Sequence, residues 1–163
     1  MKIATIYIEN SVFGFYYDDK MENKKKMEAT RILFDQIKAG FFKPFTSPLT
    51  IKELSVAPNS IRNKLLALIK NYNIEIPDVD ENQFRMLVEK YMFENIVPDE
   101  YINDARHVAF ATILNVDILV TFNLEHIANE WSARKFNGVN LKEGYSMIAI
   151  RTPEEVIHYG NRW

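Results

Sequence analysis

Asn103 to Asn123 reads NDARHVAFATILNVDILVTFN. It places an acid at a helix start and continues in an alanine-rich helix, Asp104–Leu114, suited to close packing on a sheet. Ile118–Phe122 follows as a strand apolar on both faces, the pattern of a buried central strand in a parallel sheet. Polar Asn123 stands where that strand ends. Near the start of the chain, Ile3–Glu9 (IATIYIE) repeats the second half of this design, an apolar strand delivering a carboxylate at its end. Side by side, the two strands bring Glu9, Asp104 and Asn123 around one point.

Working outward, strands alternate with helices. Ile3–Ile8, Lys43–Ser47, Ile74–Ile76, Ile118–Phe122 and Ser146–Ile150 read as strands. Lys24–Ala39, Thr50–Val56, Ser60–Asn71, Asp80–Glu94, Leu124–Lys135 and Pro153–Ile157 read as helices, with Gly40 stopping the first. Asn137–Gly144 reads as a polar loop and Tyr17–Lys26 as a solvated charged connection. Strands separated by helices imply crossover connections and a three-layer α/β sandwich. No repeat or linker interrupts residues 1–163, so one domain is expected.

Composition narrows the chemistry. An apolar fraction of 47% and a charged fraction of 26% are ordinary for a globular chain. A net charge of -2 argues against a surface built throughout to grip nucleic acid. Without cysteine there is no disulfide, thiolate nucleophile or zinc–thiolate site. His107, His126 and His158 fall in no HxxxH or HExxH spacing, so a metal site would be oxygen-liganded. The apolar stretch after Lys2 is interrupted by Glu9, then Asp18 and Asp19, and lacks a small-residue cleavage site. No run approaches the roughly 18 apolar residues of a membrane span. A cytoplasmic protein without membrane contact is expected.

In open α/β sheets ligands gather beyond the carboxyl ends of the strands. Glu9 follows the first strand, Glu53 lies just past the second, Asp104 opens the helix before the fourth and Asn123 ends the fourth. Gathered carboxylates raise each other's pKa, and Mg²⁺ or Mn²⁺ suits such a set of oxygen donors. Each residue also has a capping reading. Thr50–Glu53 matches an S/T-x-x-E capping box; Asn103 or Asp104, and Asn123, are at home as caps. Glu9 is the exception, because a carboxylate behind a buried strand is costly without a partner. His107 and His126 lie one helical turn from Asp104 and Asn123, open either to the site or to packing. Lys24–Lys26 with Arg31, and Arg62 with Lys64 and Lys70, suit phosphates or plain solvation. Phe13, Phe15, Tyr16 and Tyr17 suit bases, a partner or the core.

With these residues in view, the chain resembles the PIN-domain family, including VapC-like toxin nucleases, over nearly its whole length. The resemblance is carried by IYIENSVFG, SPLTIKEL, NDARHVAFATILNVDILVTFN and GYSMIAIRTPEEV. It implies a five-stranded parallel sheet ordered 3-2-1-4-5 and a catalytic, metal-holding set of Glu9, Glu53, Asp104 and Asn123, with Ser11 assisting. It further implies a Mg²⁺- or Mn²⁺-dependent endoribonuclease, a hydrolase leaving a 5′-phosphate and a 3′-hydroxyl. As the toxin of a toxin–antitoxin pair it would be a homodimer masked by a small antitoxin. The chain departs from the family pattern at the first acid, where Glu9 stands for the usual Asp and Asn10 for a small hydroxyl residue, and at the fourth position, where Asn123 offers an amide oxygen without charge. A PIN-like module that binds RNA or a protein without cutting is the alternative. A receiver- or phosphatase-type α/β enzyme is a third class, weakened by the single acid after strand one and by Arg151 after the last strand. Neither GxxxxGK[ST] nor GxGxxG occurs.

Overall fold

The computed structural model describes residues 2–160 of the chain, with side chains described through Ile157. Four parallel strands form its sheet: β1 (Ala4–Ile8), β2 (Phe42–Phe45), β3 (Ile118–Val120) and β4 (Ala149–Arg151). Their order is β2-β1-β3-β4, so the two strands singled out in the sequence are neighbours, with Ile6, Tyr7 and Ile8 opposite Ile118, Leu119 and Val120.

The helices are α1 (Asn10–Tyr16), α2 (Lys24–Lys38), α3 (Pro48–Leu54), α4 (Asn59–Asn71), α5 (Glu81–Phe93), α6 (Ile102–Ile113), α7 (Glu130–Lys142) and α8 (Pro153–Gly160). Alternation along the strands divides them into two layers. Ile6, Ile8, Ile118 and Val120 face one core with Leu33 and Phe34 of α2, Leu65 and Leu68 of α4, and Val156 of α8. Tyr7 and Leu119 face the other, with Leu87 and Tyr91 of α5, Val108 of α6 and Phe136 of α7. The result is three layers, as the alternating pattern predicts. No helix among the described residues is long and apolar enough to cross a membrane.

Of the five strands expected, the third, Ile74–Ile76, is reduced to one parallel bridge between Glu75 and Phe45, so the sheet has four strands. The Glu75 N–H reaches the Pro44 carbonyl at 3.1 Å, and Thr46 returns an N–H to the Glu75 carbonyl at 2.9 Å. Asn73, with φ +52°, turns the chain immediately before, and Pro77 removes the next donor of the same edge. The segment therefore has room for one pairing and no ladder.

Three further expectations shift. Asn10–Tyr16 is helical directly after β1, where the sequence pattern predicts no helix; Glu9 caps it and Val12 and Phe13 bury its inner face. Leu124–Lys135 is a series of turns for its first half, and the helix runs from Glu130 through the segment expected as a polar loop. Its polar residues are internal partners. Asn137 accepts from Ile148 N and donates to Ile148 O, while Asn140 joins the buried Tyr91 and Thr112 hydroxyls. Finally, α3 starts at Pro48, leaving Thr50 inside the helix and the Thr50–Glu53 capping box unformed.

Candidate functional site

Glu9 sits at the carboxyl end of β1, 5% exposed, and its own N–H continues the sheet by bonding to the Val120 carbonyl at 3.0 Å. Both oxygens of its carboxylate accept nearby donors. Oε2 accepts the Ser11 N–H at 2.9 Å, capping α1. Oε1 accepts the hydroxyls of Ser11 and Thr121, each at 2.6 Å. Ser11 Oγ in turn accepts the Phe122 N–H at 2.9 Å, and Thr121 Oγ1 accepts the Asn123 N–H at 2.9 Å. The turn after β1 is thus stitched to the turn after β3 through one carboxylate. These hydroxyls are the partner that a carboxylate behind a buried strand requires.

Asp104 lies in the first turn of α6, where the helix dipole favours a negative charge. Its Oδ2 is 2.8 Å from His126 Nδ1, and the His126 ring leans on Tyr101 with centroids 4.4 Å apart. Burial pushes its carboxyl above the usual carboxylate range. Hydrogen bonds from His126 and Asn123 pull back, and the nearby charge of Glu9 pushes further up. Two carboxylates of this chain therefore feel each other across the β1–β3 junction.

Asn123 is held by the turn it begins: its Oδ1 accepts the His126 N–H at 3.0 Å. The capping reading of Asn123 describes this contact, and its carbonyl oxygen is already occupied.

Glu53 of α3 pairs with His107 Nε2 across to α6. His107 is 1% exposed, and its Nδ1 is 2.8 Å from the Tyr7 hydroxyl, which is 2.7 Å from Ser47 Oγ. With Glu53 ionised, the order of donation runs from Ser47 to Tyr7 to His107 to Glu53, each group donating to the next. Burial drives the Tyr7 hydroxyl well above its ordinary pKa despite its hydrogen bonds, keeping it a neutral donor. Ser47 spends its hydroxyl here rather than on capping α3.

Glu9, Asp104, Asn123 and Ser11 are joined by this network, and Glu53 is connected through the α6 turn that links Asp104 to His107. Spacing from Asp104 and Asn123 marks both histidines, yet no sequence feature distinguishes Thr121, Tyr7 or Ser47 from ordinary core and turn residues. Among the described residues, no group of three or more histidine, aspartate or glutamate side chains converges as a ready metal cage. Nor does any lysine or arginine among them form a salt bridge with Glu9, Glu53 or Asp104. The acids are tempered by hydroxyls, imidazoles, the Asn123 amide and one backbone N–H. This donor set fits a hard divalent cation in its chemistry, since Mg²⁺ keeps several waters and takes only one or two carboxylates. No protein-family model matches this chain, and no curated protein matches it at a significant level.

Proposed function

We propose that the chain is a PIN-type, Mg²⁺- or Mn²⁺-dependent endoribonuclease, acting as the toxin of a toxin–antitoxin pair. The observation that carries this reading is Glu9 at the carboxyl end of β1, bonded to Thr121 after the adjacent β3, in the same turn segment that brings His126 to Asp104 of α6, with Asp104's carboxyl held up by burial and by Glu9's charge. Perturbed acids in such a place are a mark of functional sites. Glu9 and Asp104 would hold the ion, with Glu53 reaching it on leaving His107. A divalent ion there would supply Lewis acidity to a phosphodiester and acidify a bound water. Ser11 and Thr121 keep the Glu9 carboxylate in one orientation, and His126 does the same for Asp104. Asn123 fixes the turn that carries His126.

Mn²⁺ calorimetry and cleavage of a mixed-sequence RNA test this reading. Binding and cleavage should both be lost in Asp104→Asn, and cleavage should stop in EDTA. Cleavage that survives either treatment would remove the proposal.

A second reading, a non-cutting PIN-like module, is favoured by a specific observation: every acid already has a donor, and the Asn123 carbonyl is taken. Absence of Mn²⁺ binding by the unaltered protein would select it.

A further inference from the structure

Beside the acids lies a small surface of a different kind. Phe15, one turn beyond Ser11 on α1, packs against Phe122 with ring centroids 4.8 Å apart. The Lys26 ammonium lies 5.0 Å from the Phe15 centroid and 5.8 Å from that of Phe122. Phe122 is itself part of the stitched turn: its N–H bonds to Ser11 Oγ, and its neighbour Thr121 donates to Glu9. Phe122 touches the edge of one core, but Phe15 belongs to neither. Phe15 is half-buried outside both cores, one helical turn from the Ser11 that holds Glu9.

The charge around this pair opposes that of the whole chain. Five cations stand against two carboxylates between Lys20 and Arg31, whereas the net charge is -2. Asp18, just upstream, is occupied by the Lys20 N–H and the Asn23 amide. Lys25 and Lys26 have no salt-bridge partner among the described residues. Arg31 lies over the Tyr16 ring, 5.4 Å from its centroid, continuing the alternation of cation and ring along α1 and α2.

We propose that Phe15, Phe122 and Lys26, continued by Lys25, form the track along which single-stranded RNA reaches the acids. The proposal rests on the nuclease reading for its substrate. Rings accept bases of any sequence by stacking, and ammonium groups accept the intervening phosphates. Each needs the other here, because an acid cluster without lysine or arginine repels a polyanion. Lys26 brings both functions to one point: its ammonium stands beside the rings and supplies the charge a phosphate needs.

Binding is read by fluorescence anisotropy, using a labelled 12-nucleotide single-stranded RNA in EDTA over a series of salt concentrations. The Lys25→Gln/Lys26→Gln double variant should lower the slope of log affinity against log salt by about 1.4, at about 0.7 for each phosphate that is no longer neutralised. Phe15→Leu should weaken binding roughly five- to a hundred-fold through lost stacking, with little cost to folding because the ring lies outside both cores. Lys135→Gln, which removes a cation over the Trp131 ring on α7, should change neither quantity. An RNA duplex should bind at least about tenfold more weakly, its bases being inaccessible to the rings.

The track is overturned by any of four results. These are no RNA binding by the unaltered protein, unchanged slope and affinity in the patch variants, equal losses in Lys135→Gln, or capture of a protein partner through the patch with no RNA bound. Cleavage is read separately with Mn²⁺. RNA cut with an unchanged KM in the patch variants overturns the track and leaves the nuclease standing. RNA held through the patch but never cut upholds the track and removes the nuclease.

Discussion

Tyr7→Phe removes one oxygen atom from the interior and should be felt well beyond its size. The hydroxyl lies between Ser47 Oγ at 2.7 Å and His107 Nδ1 at 2.8 Å, and Tyr7, Ser47 and His107 are each no more than 1% exposed. Phenylalanine preserves the ring and its place in the core, so packing changes little. Two buried polar atoms, however, lose their shared partner. An orphaned buried group costs about 1–3 kcal/mol, offset in part because the tyrosine hydroxyl no longer has to be desolvated. A net loss of roughly 2–4 kcal/mol follows. For a chain of this size that lowers Tm by roughly 5–15 °C.

Urea unfolding followed by circular dichroism measures the effect, with the midpoint falling and the slope unchanged. Ser47→Ala supplies the second arm of a cycle. Alone it leaves Tyr7 bonded to His107 and should cost about 1 kcal/mol. Once Tyr7 is Phe, the same change removes an orphan and should cost nothing or restore stability. A loss below about 0.5 kcal/mol for Tyr7→Phe, or strictly additive effects, would refute the hydrogen-bond chain that holds His107 against Glu53.

Asp104→Asn, besides abolishing Mn²⁺ binding, should raise stability at neutral pH. The folded pKa of Asp104 lies above its unfolded value, so ionising it costs stability as pH rises through the carboxylate range. The variant's gain should be present above the folded pKa and vanish in acid, as urea midpoints across pH will read; a gain that persists in acid contradicts this sign. Asp117 has the opposite shift. Burial raises its pKa, but hydrogen bonds from the Thr5 N–H and hydroxyl, with Lys2 at 2.9 Å, together outweigh burial and lower it. Asp117→Asn should therefore cost about 1 kcal/mol at pH 7 and progressively less as pH falls through the folded pKa; a loss independent of pH would count against it. Glu9→Asp keeps the cap on Ser11, since aspartate is a good N-cap, but withdraws the carboxylate from Thr121. RNA cleavage should rise if the longer side chain weakens the native site, and an unchanged rate shows that length is not limiting.

Much of the layout is legible in the sequence because β1 and β3 carry period-two and doubly apolar patterns that few other structures accommodate. The layers and the adjacency of those strands follow from them. What the sequence hides depends on partners distant along the chain. Asn137 and Asn140 read as loop residues because their polarity is satisfied only by Ile148, Tyr91 and Thr112. Glu9 reads as an unpartnered acid because the second of its two hydroxyl donors, Thr121, is 112 positions away. Thr50 and Glu53 show the spacing of a cap, but Pro48 starts the helix earlier and His107 claims the carboxylate.

The single bridge at Glu75 also bears on how copies of this chain can meet. On the outer side of β2, Pro44 has no N–H to offer and its carbonyl is taken by Glu75, while the Thr46 N–H is spent on the Glu75 carbonyl. Between Pro44 and Thr46 an incoming strand would find no adjacent free donor and acceptor to template on. Sheet extension between two copies is therefore hindered along this stretch of the rim, which guards it against runaway aggregation. A dimer, where one forms, is better built from helix faces or from the opposite rim at β4.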